Sequence, residues 1–161
     1  MSVGLAFIGL GSNLGDRARN LFRALEILGA SGTMTLLRSS IYKTEPVEVV
    51  DQAEFLNQVV GCETTLSPED LLAACLEAER SIGRVRTRDK GPRAIDLDLL
   101  LFGDAVRQGP GLALPHPRMH LRRFVLVPLV EIAPRVRHPL LGLSAAELLE
   151  RCPDRSRVER E

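Results

Sequence analysis

Apolar positions change their period several times along the chain, and each change predicts an element. Residues 3–10 alternate and cluster Val, Leu, Phe and Ile, as a buried strand does. Gly9, Gly11 and Gly15 follow, Asp16 is placed to cap a helix, and Leu21, Leu25 and Leu28 recur at helical spacing until Gly29 and Gly32. Residues 33–44 and 55–65 are rich in β-branched and aromatic types and predict two strands. The segment between them, EPVEVVDQAE, is too long for a tight hairpin and reads as a working loop. Ser67-Pro68-Glu69-Asp70 starts a helix with a cap, a first-turn proline and two acids. Leu72, Cys75, Leu76 and Ile82 form its expected apolar stripe, and Gly83 its stop. AIDLDLLLF (94–102) is the plainest strand, turned by Gly103-Asp104. An apolar stretch interrupted by Pro128 is expected to pack on the core, and residues 144–151 to close the fold as a short helix. The charged tail CPDRSRVERE is expected to fray. This order predicts one domain over 1–161, an α+β sandwich of the ferredoxin-like type: a mainly antiparallel sheet with helices on both sides.

Composition narrows the class. The chain has 161 residues, of which 45% are hydrophobic and 26% charged, enough for an ordinary core without staples. Basic and acidic residues balance at 21 each, so no global field calls for nucleic acid or a membrane, and an anionic ligand must be met by a local cluster of bases. The apolar start lacks a basic leader and is too short to span a bilayer, which makes a cytoplasmic location the expectation. Cys62, Cys75 and Cys152 have no metal or disulfide spacing and read as buried apolar side chains.

Candidate chemistry concentrates in GPRAIDLDLL. Alternate strand residues share a face, so Asp96 and Asp98 point the same way about 7 Å apart, while Ile95, Leu97 and Leu99 anchor the other face. Leu100 and Phe102 extend the acidic face with apolar residues, which argues against a simple solvated edge. Paired carboxylates repel unless a cation joins them, and an all-oxygen pair suits Mg²⁺ that completes its shell with water and phosphate. Just upstream, Arg84, Arg86, Arg88, Lys90 and Arg93 form a run that is a solvated loop in isolation and a polyphosphate clamp beside a metal pair. Glu79 lies on the apolar stripe of its helix and needs either a core arginine or a ligand.

RVRTRDKGPRAIDLDLLLFG closely resembles the signature of the 6-hydroxymethyl-7,8-dihydropterin pyrophosphokinases. GLGSNLGD, IYKTEPV, QAEFLNQVV and LPHPRMHLRRFVLVPLVEIAP extend the resemblance, in the family's order, over most of residues 5–134. The resemblance implies pyrophosphoryl transfer from Mg·ATP to a pterin alcohol in folate synthesis, with AMP released. ATP and the pterin alcohol are the expected partners, with neither nucleic acid nor membrane, and a monomer is expected. By it, Asp96 and Asp98 hold two Mg²⁺ ions with ATP as co-substrate, and Arg84 and Arg93 assist transfer. Glu79, Arg86, Leu99, His116 and Arg122 match positions on the nucleotide side, which removes the ambiguity at Glu79. Phe55 and Phe124 match the aromatic plates around the pterin, Asn57 the amide that reads its edge, and Thr44, Glu45 and Val47 the adjoining loop. A flat heteroaromatic needs such faces and fixed rim groups, and Phe55 and Asn57 share one strand face. The sequence departs from the family at Lys90, where an aromatic residue is common, and at Glu48, where glycine is usual.

Two rival functions fit less well. A dinucleotide-binding oxidoreductase would use Gly9-Leu10-Gly11, but the third glycine is at 15 rather than 14 and no βαβ repeat follows. Those glycines are instead expected to make a tight turn from which Ser12 and Asn13 cap neighbouring backbone. An RNA-binding module would need aromatic sheet motifs and a basic face, and leaves Asp96 and Asp98 without a role. His116 and His120 are separated by Pro117 in an arginine-rich stretch, which disfavours zinc, and His138 is expected in a surface loop.

Overall fold

A computed structural model describes residues 4–45, 53–83 and 94–161. The strands are β1 (Gly4–Ser12), β2 (Thr33–Arg38), β3 (Tyr42–Thr44), β4 (Phe55–Thr64), β5 (Asp96–Phe102), β6 (Arg107–Gly109), β7 (Leu112–Leu114) and β8 (Val158–Arg160). The helices are α1 (Arg17–Ala30), α2 (Pro68–Ile82), α3 (Arg123–Ile132) and α4 (Ala145–Arg151), with a 3-10 turn at Met119–Leu121. The main sheet runs β5-β1-β4-β3-β8, and β2 joins β4 beyond β3. Each of these pairings is antiparallel, as the sandwich reading predicts, and this excludes the parallel sheet of the oxidoreductase alternative. A separate ribbon pairs β6 with β7.

Alternation in β1 divides the core. Ala6, Ile8 and Leu10 pack with Leu21, Ala24, Leu28, Leu71 and Cys75 of α1 and α2. Phe7 points the other way, into a cluster with Val59, Leu100, Val125 and Leu129 under α3. Both long helices start as the sequence predicts. Asp16 Oδ1 accepts from Arg19 N at 3.2 Å, Ser67 Oγ accepts from Asp70 N at 3.1 Å, and Gly83 ends α2 in the left-handed region at φ 97°. All three cysteines are buried. No helix among the described residues is long and apolar enough to cross a membrane.

Several expectations are corrected. The apolar face of α2 is Leu71, Cys75 and Ala78 together with Glu79, while Leu76 is exposed. The helix is rotated so that small residues meet the sheet and Leu72 lies at the margin. The single strand expected over 33–44 is two strands, broken where buried Ser39 takes over the ladder. Its backbone N–H donates to Val59 O at 2.9 Å and its Oγ accepts from Val59 N at 3.0 Å. In β5 the alternation does not continue to Phe102. Phe7 pairs with Leu101 and Ile8 with Leu99, leaving Leu100 as a bulge, so Leu101 enters the α3 cluster and Phe102 turns to the other side. Pro128 does not interrupt the apolar stretch, because α3 runs through it. His138 is buried rather than superficial, its Nδ1 accepting from the N–H groups of Leu140 and Leu141. The tail does not fray. β8 pairs with β3, setting Glu159 opposite Lys43 and Arg160 opposite Tyr42. The backbone ladder, the Arg160–Tyr42 ring contact and the Arg160–Glu131 pair at 3.8 Å hold a strand that carries little apolar surface.

Candidate active site

Register places the candidate residues on one face of the sheet. Gly11 pairs with Asp96 on one side and with Asn57 on the other, and Gly9 likewise joins Asp98 to Val59. Residues paired across antiparallel strands share a face, so the two carboxylates and the amide flank a strip of sheet that carries no side chains. Gly9 and Gly11 are therefore strand residues, not the tight turn expected from the sequence. A Cβ on Gly11 would lie 2.7 Å from Asn57 Oδ1 and 3.6 Å from Phe55 Cδ1, so the amide and the ring occupy the space that glycine leaves. The signal was present in the sequence as glycines two apart inside an apolar run, the spacing of one strand face.

Asn57 is buried and its Nδ2 donates to Thr44 Oγ1, which points the amide oxygen over Gly11. Phe55 sits two residues away on the same face, half-buried, across from Thr44. Phe124, in the first turn of α3, is half-buried against the cluster on that side, and the Arg122 guanidinium carbon stands 5.6 Å from its ring centroid. The N-terminal segment fixes the entry to β4. Asn13 Nδ2 donates to Ala53 O at 3.4 Å and Arg17 Nη1 to Glu54 O at 2.7 Å.

Asp96 and Asp98 are half-buried. Their hard oxygen donors, and the glycines opposite that leave room in front of them, fit a divalent cation that takes its other ligands from water and phosphate. Among the described residues there is no group of three or more His, Cys, Asp or Glu that could hold a metal ion. Glu79 comes from the opposite layer and reaches the edge of β5, where its carboxylate accepts from Leu97 N at 2.8 Å, between the two aspartates. His116 is anchored by its backbone N–H to the bulge carbonyl of Leu100 at 2.9 Å. Burial, assisted by the nearby Arg122 and Arg118 charges, lowers its pKa to about 4. The ring is thus neutral at pH 7, and because Nδ1 accepts from Arg118 N at 3.1 Å, Nε2 carries the donor proton.

Not every expected residue converges. The Leu99 side chain lies in the core on the α1–α2 side, so only its backbone is available to a ligand on the aspartate face. The Glu45 carboxylate is engaged elsewhere, accepting from Arg157 N at 2.9 Å. Arg84, Arg86, Arg93 and Val47, with the two departures Lys90 and Glu48, lie outside the described residues.

The family model for 7,8-dihydro-6-hydroxymethylpterin-pyrophosphokinase (HPPK) matches residues 7–134. The chain belongs to this family. It is 48% identical over 130 residues to the 2-amino-4-hydroxy-6-hydroxymethyldihydropteridine pyrophosphokinase of Methylorubrum extorquens, covering 80% of this chain and 82% of that one. It is 40% identical over 148 residues to the folic acid synthesis protein fol1 of Pneumocystis carinii, covering 92% of this chain but 20% of the fungal protein, so it spans about a fifth of that relative. Among solved structures, wild-type Plasmodium falciparum HPPK-DHPS with pterin and p-hydroxybenzoate superposes with a TM-score of 0.70 at 15% identity, over 94% of this chain and 42% of that one. This likeness establishes the shared HPPK fold. The α+β sandwich and the family read from the sequence both stand.

Proposed function

We propose that this chain is a single pyrophosphokinase domain that transfers pyrophosphate from Mg·ATP to the hydroxyl of 6-hydroxymethyl-7,8-dihydropterin and releases AMP. The observation that carries the reading is the row Asp96–Gly11–Asn57, which sets a metal-ready carboxylate and a buried, oriented amide on either side of one bare strip of sheet. Asn57, ordered by Thr44, reads the pterin edge, and Phe55 and Phe124 stack on its faces. Thr44, Glu45 and Val47 adjoin the ring. Asp96 and Asp98 hold the cations, taken here as two. When bound, magnesium neutralises triphosphate charge and aligns the phosphates. Glu79 steadies the Asp96–Asp98 strand through Leu97 N and adjoins the nucleotide, whose pocket includes the backbone at Leu99. His116 offers a neutral Nε2–H donor and Arg122 a fork of donors to phosphate oxygens. Arg84, Arg86 and Arg93 complete the phosphate side. In the step itself the pterin hydroxyl oxygen bonds to the β-phosphorus of ATP, the bond from that phosphorus to the oxygen bridging to the α-phosphate breaks, and the hydroxyl proton is lost to solvent. Positioning and electrostatics carry this reaction class, and the site supplies both. The chain is read as a cytoplasmic monomer.

An assay of nucleotide products tests the reading. AMP should form from ATP only when the pterin alcohol and Mg²⁺ are present. ADP as the product, or AMP formation indifferent to the pterin, would refute it.

A further inference from the structure

The segment Asp154–Arg160 lies past residue 134, where the family match ends, yet it touches both walls of the proposed pterin slot. On one side, Asp154 Oδ2 accepts from Arg123 N at 2.9 Å, next to Phe124, while its other oxygen accepts from Ser156 N at 2.9 Å. Burial opposes ionisation of Asp154, and the hydrogen bonds from Ser156 and Arg123 outweigh it, holding the carboxyl below its usual range. On the other side stand Glu45 and Glu54. The ladder Tyr42–Asn57, Lys43–Leu56, Thr44–Phe55 sets them opposite each other at its next step, where like charges repel. Arg157 lies at both. Its backbone N–H donates to Glu45 Oε1 at 2.9 Å and its Nη2 to Glu54 Oε2 at 2.8 Å. From there β8 continues along β3, ending with Arg160 over the Tyr42 ring and 3.8 Å from Glu131, which itself accepts from Tyr42 Oη at 2.7 Å.

We propose that Asp154–Arg160 is a positioning brace for the pterin half of the site, fixing the Phe124 end of α3 relative to the Glu45–Glu54 pair beside Phe55. The proposal rests on the pterin reading above. Arg157 acts through those neighbours and touches no substrate. Its pair with Glu54 is exposed, at 55% and 40% of the side chains, so its influence on binding is modest and sensitive to salt.

The test is calorimetric titration of 6-hydroxymethylpterin into full-length protein saturated with Mg²⁺ and an inert ATP analogue, for the parent, Arg157→Ala, Arg157→Lys and Asp154→Ala. Arg157→Ala should weaken pterin binding on the order of two- to five-fold, the range an exposed pair supplies, and Asp154→Ala, which removes two part-buried hydrogen bonds, by at least as much. Affinity for the ATP analogue and kcat at saturating pterin should stay at parent values, and Arg157→Lys should recover part of the loss. Because the pterin is uncharged, raising ionic strength should weaken its binding to the parent more than to Arg157→Ala. A parent that binds pterin no better than these variants overturns the brace alone. Equal losses of pterin and ATP affinity with a lowered Tm would mark the tail as merely structural and also overturn it. A parent that binds no pterin at all removes the functional reading and the brace together.

Discussion

Gly11→Ala adds a single methyl group to the strip between the carboxylates and the amide, and its consequences follow from distances. The new Cβ would stand 2.7 Å from Asn57 Oδ1 and 3.8 Å from Asn57 Cγ, closer to the oxygen than packed atoms approach. The amide has little room to retreat, being buried and already donating to Thr44. Overpacking of this kind costs about 1–3 kcal/mol, and a buried hydrogen bond lost outright costs about as much. Replacing glycine by alanine at a compatible site returns about 0.4–1 kcal/mol through the unfolded chain. Overpacking alone then leaves a net loss of up to about 2.6 kcal/mol, a fall in Tm of up to roughly 10 °C for a domain of this size. Gly9→Ala is the matched control. Its Cβ would meet Leu100 Cδ1 at 3.6 Å, ordinary contact, so its Tm should equal or exceed that of the parent. Pterin affinity of Gly11→Ala, titrated in the presence of Mg²⁺ and an inert ATP analogue, should fall by about ten-fold or more, since the displaced amide no longer meets the ring edge. If Gly11→Ala melts with Gly9→Ala and binds pterin like the parent, Asn57 is not held over Gly11 and the strip does not form the floor of the slot.

Asp98→Asn should abolish AMP formation at saturating Mg²⁺, because a neutral amide is a far poorer magnesium ligand than a carboxylate. Near-normal turnover would refute a metal role. Phe55→Leu and Phe124→Leu keep apolar bulk but lose the flat face, so each should weaken pterin binding by about 1 kcal/mol in calorimetry, with ATP affinity unchanged. For pH, the folded pKa of His116 is lowered from 6.5 to about 4, so the unfolded chain binds its proton first as pH falls. Its contribution is complete above pH 6.5 and is lost progressively toward about pH 4, by at most on the order of 3 kcal/mol. Denaturant unfolding at several pH values should therefore show a shallower acid loss in His116→Asn than in the parent, and equal slopes would refute the assignment.

What was legible in the sequence is what short range decides. Caps at Asp16 and Ser67, the stop at Gly83 and the shared face of Asp96 and Asp98 depend on neighbours a few residues away, and the structure has them as read. The errors fall where a distant partner decides. The break at Ser39 is set by Val59, the bulge at Leu100 by its register against β1, and the tail strand by Tyr42, Lys43 and Thr44, over a hundred residues upstream. None of these partners is marked by the local pattern at the residue concerned. The site shows the same division. Asn57 and Phe55 could be paired from their spacing, but that Asn57 lies across Gly11 from Asp96 is a fact of strand order, β5-β1-β4. Strand order also explains why the middle strand carries glycine at 9 and 11. A central strand flanked by the proposed metal-holding and pterin-reading side chains on its two neighbours must leave its own face bare if the two halves of the proposed site are to meet across it.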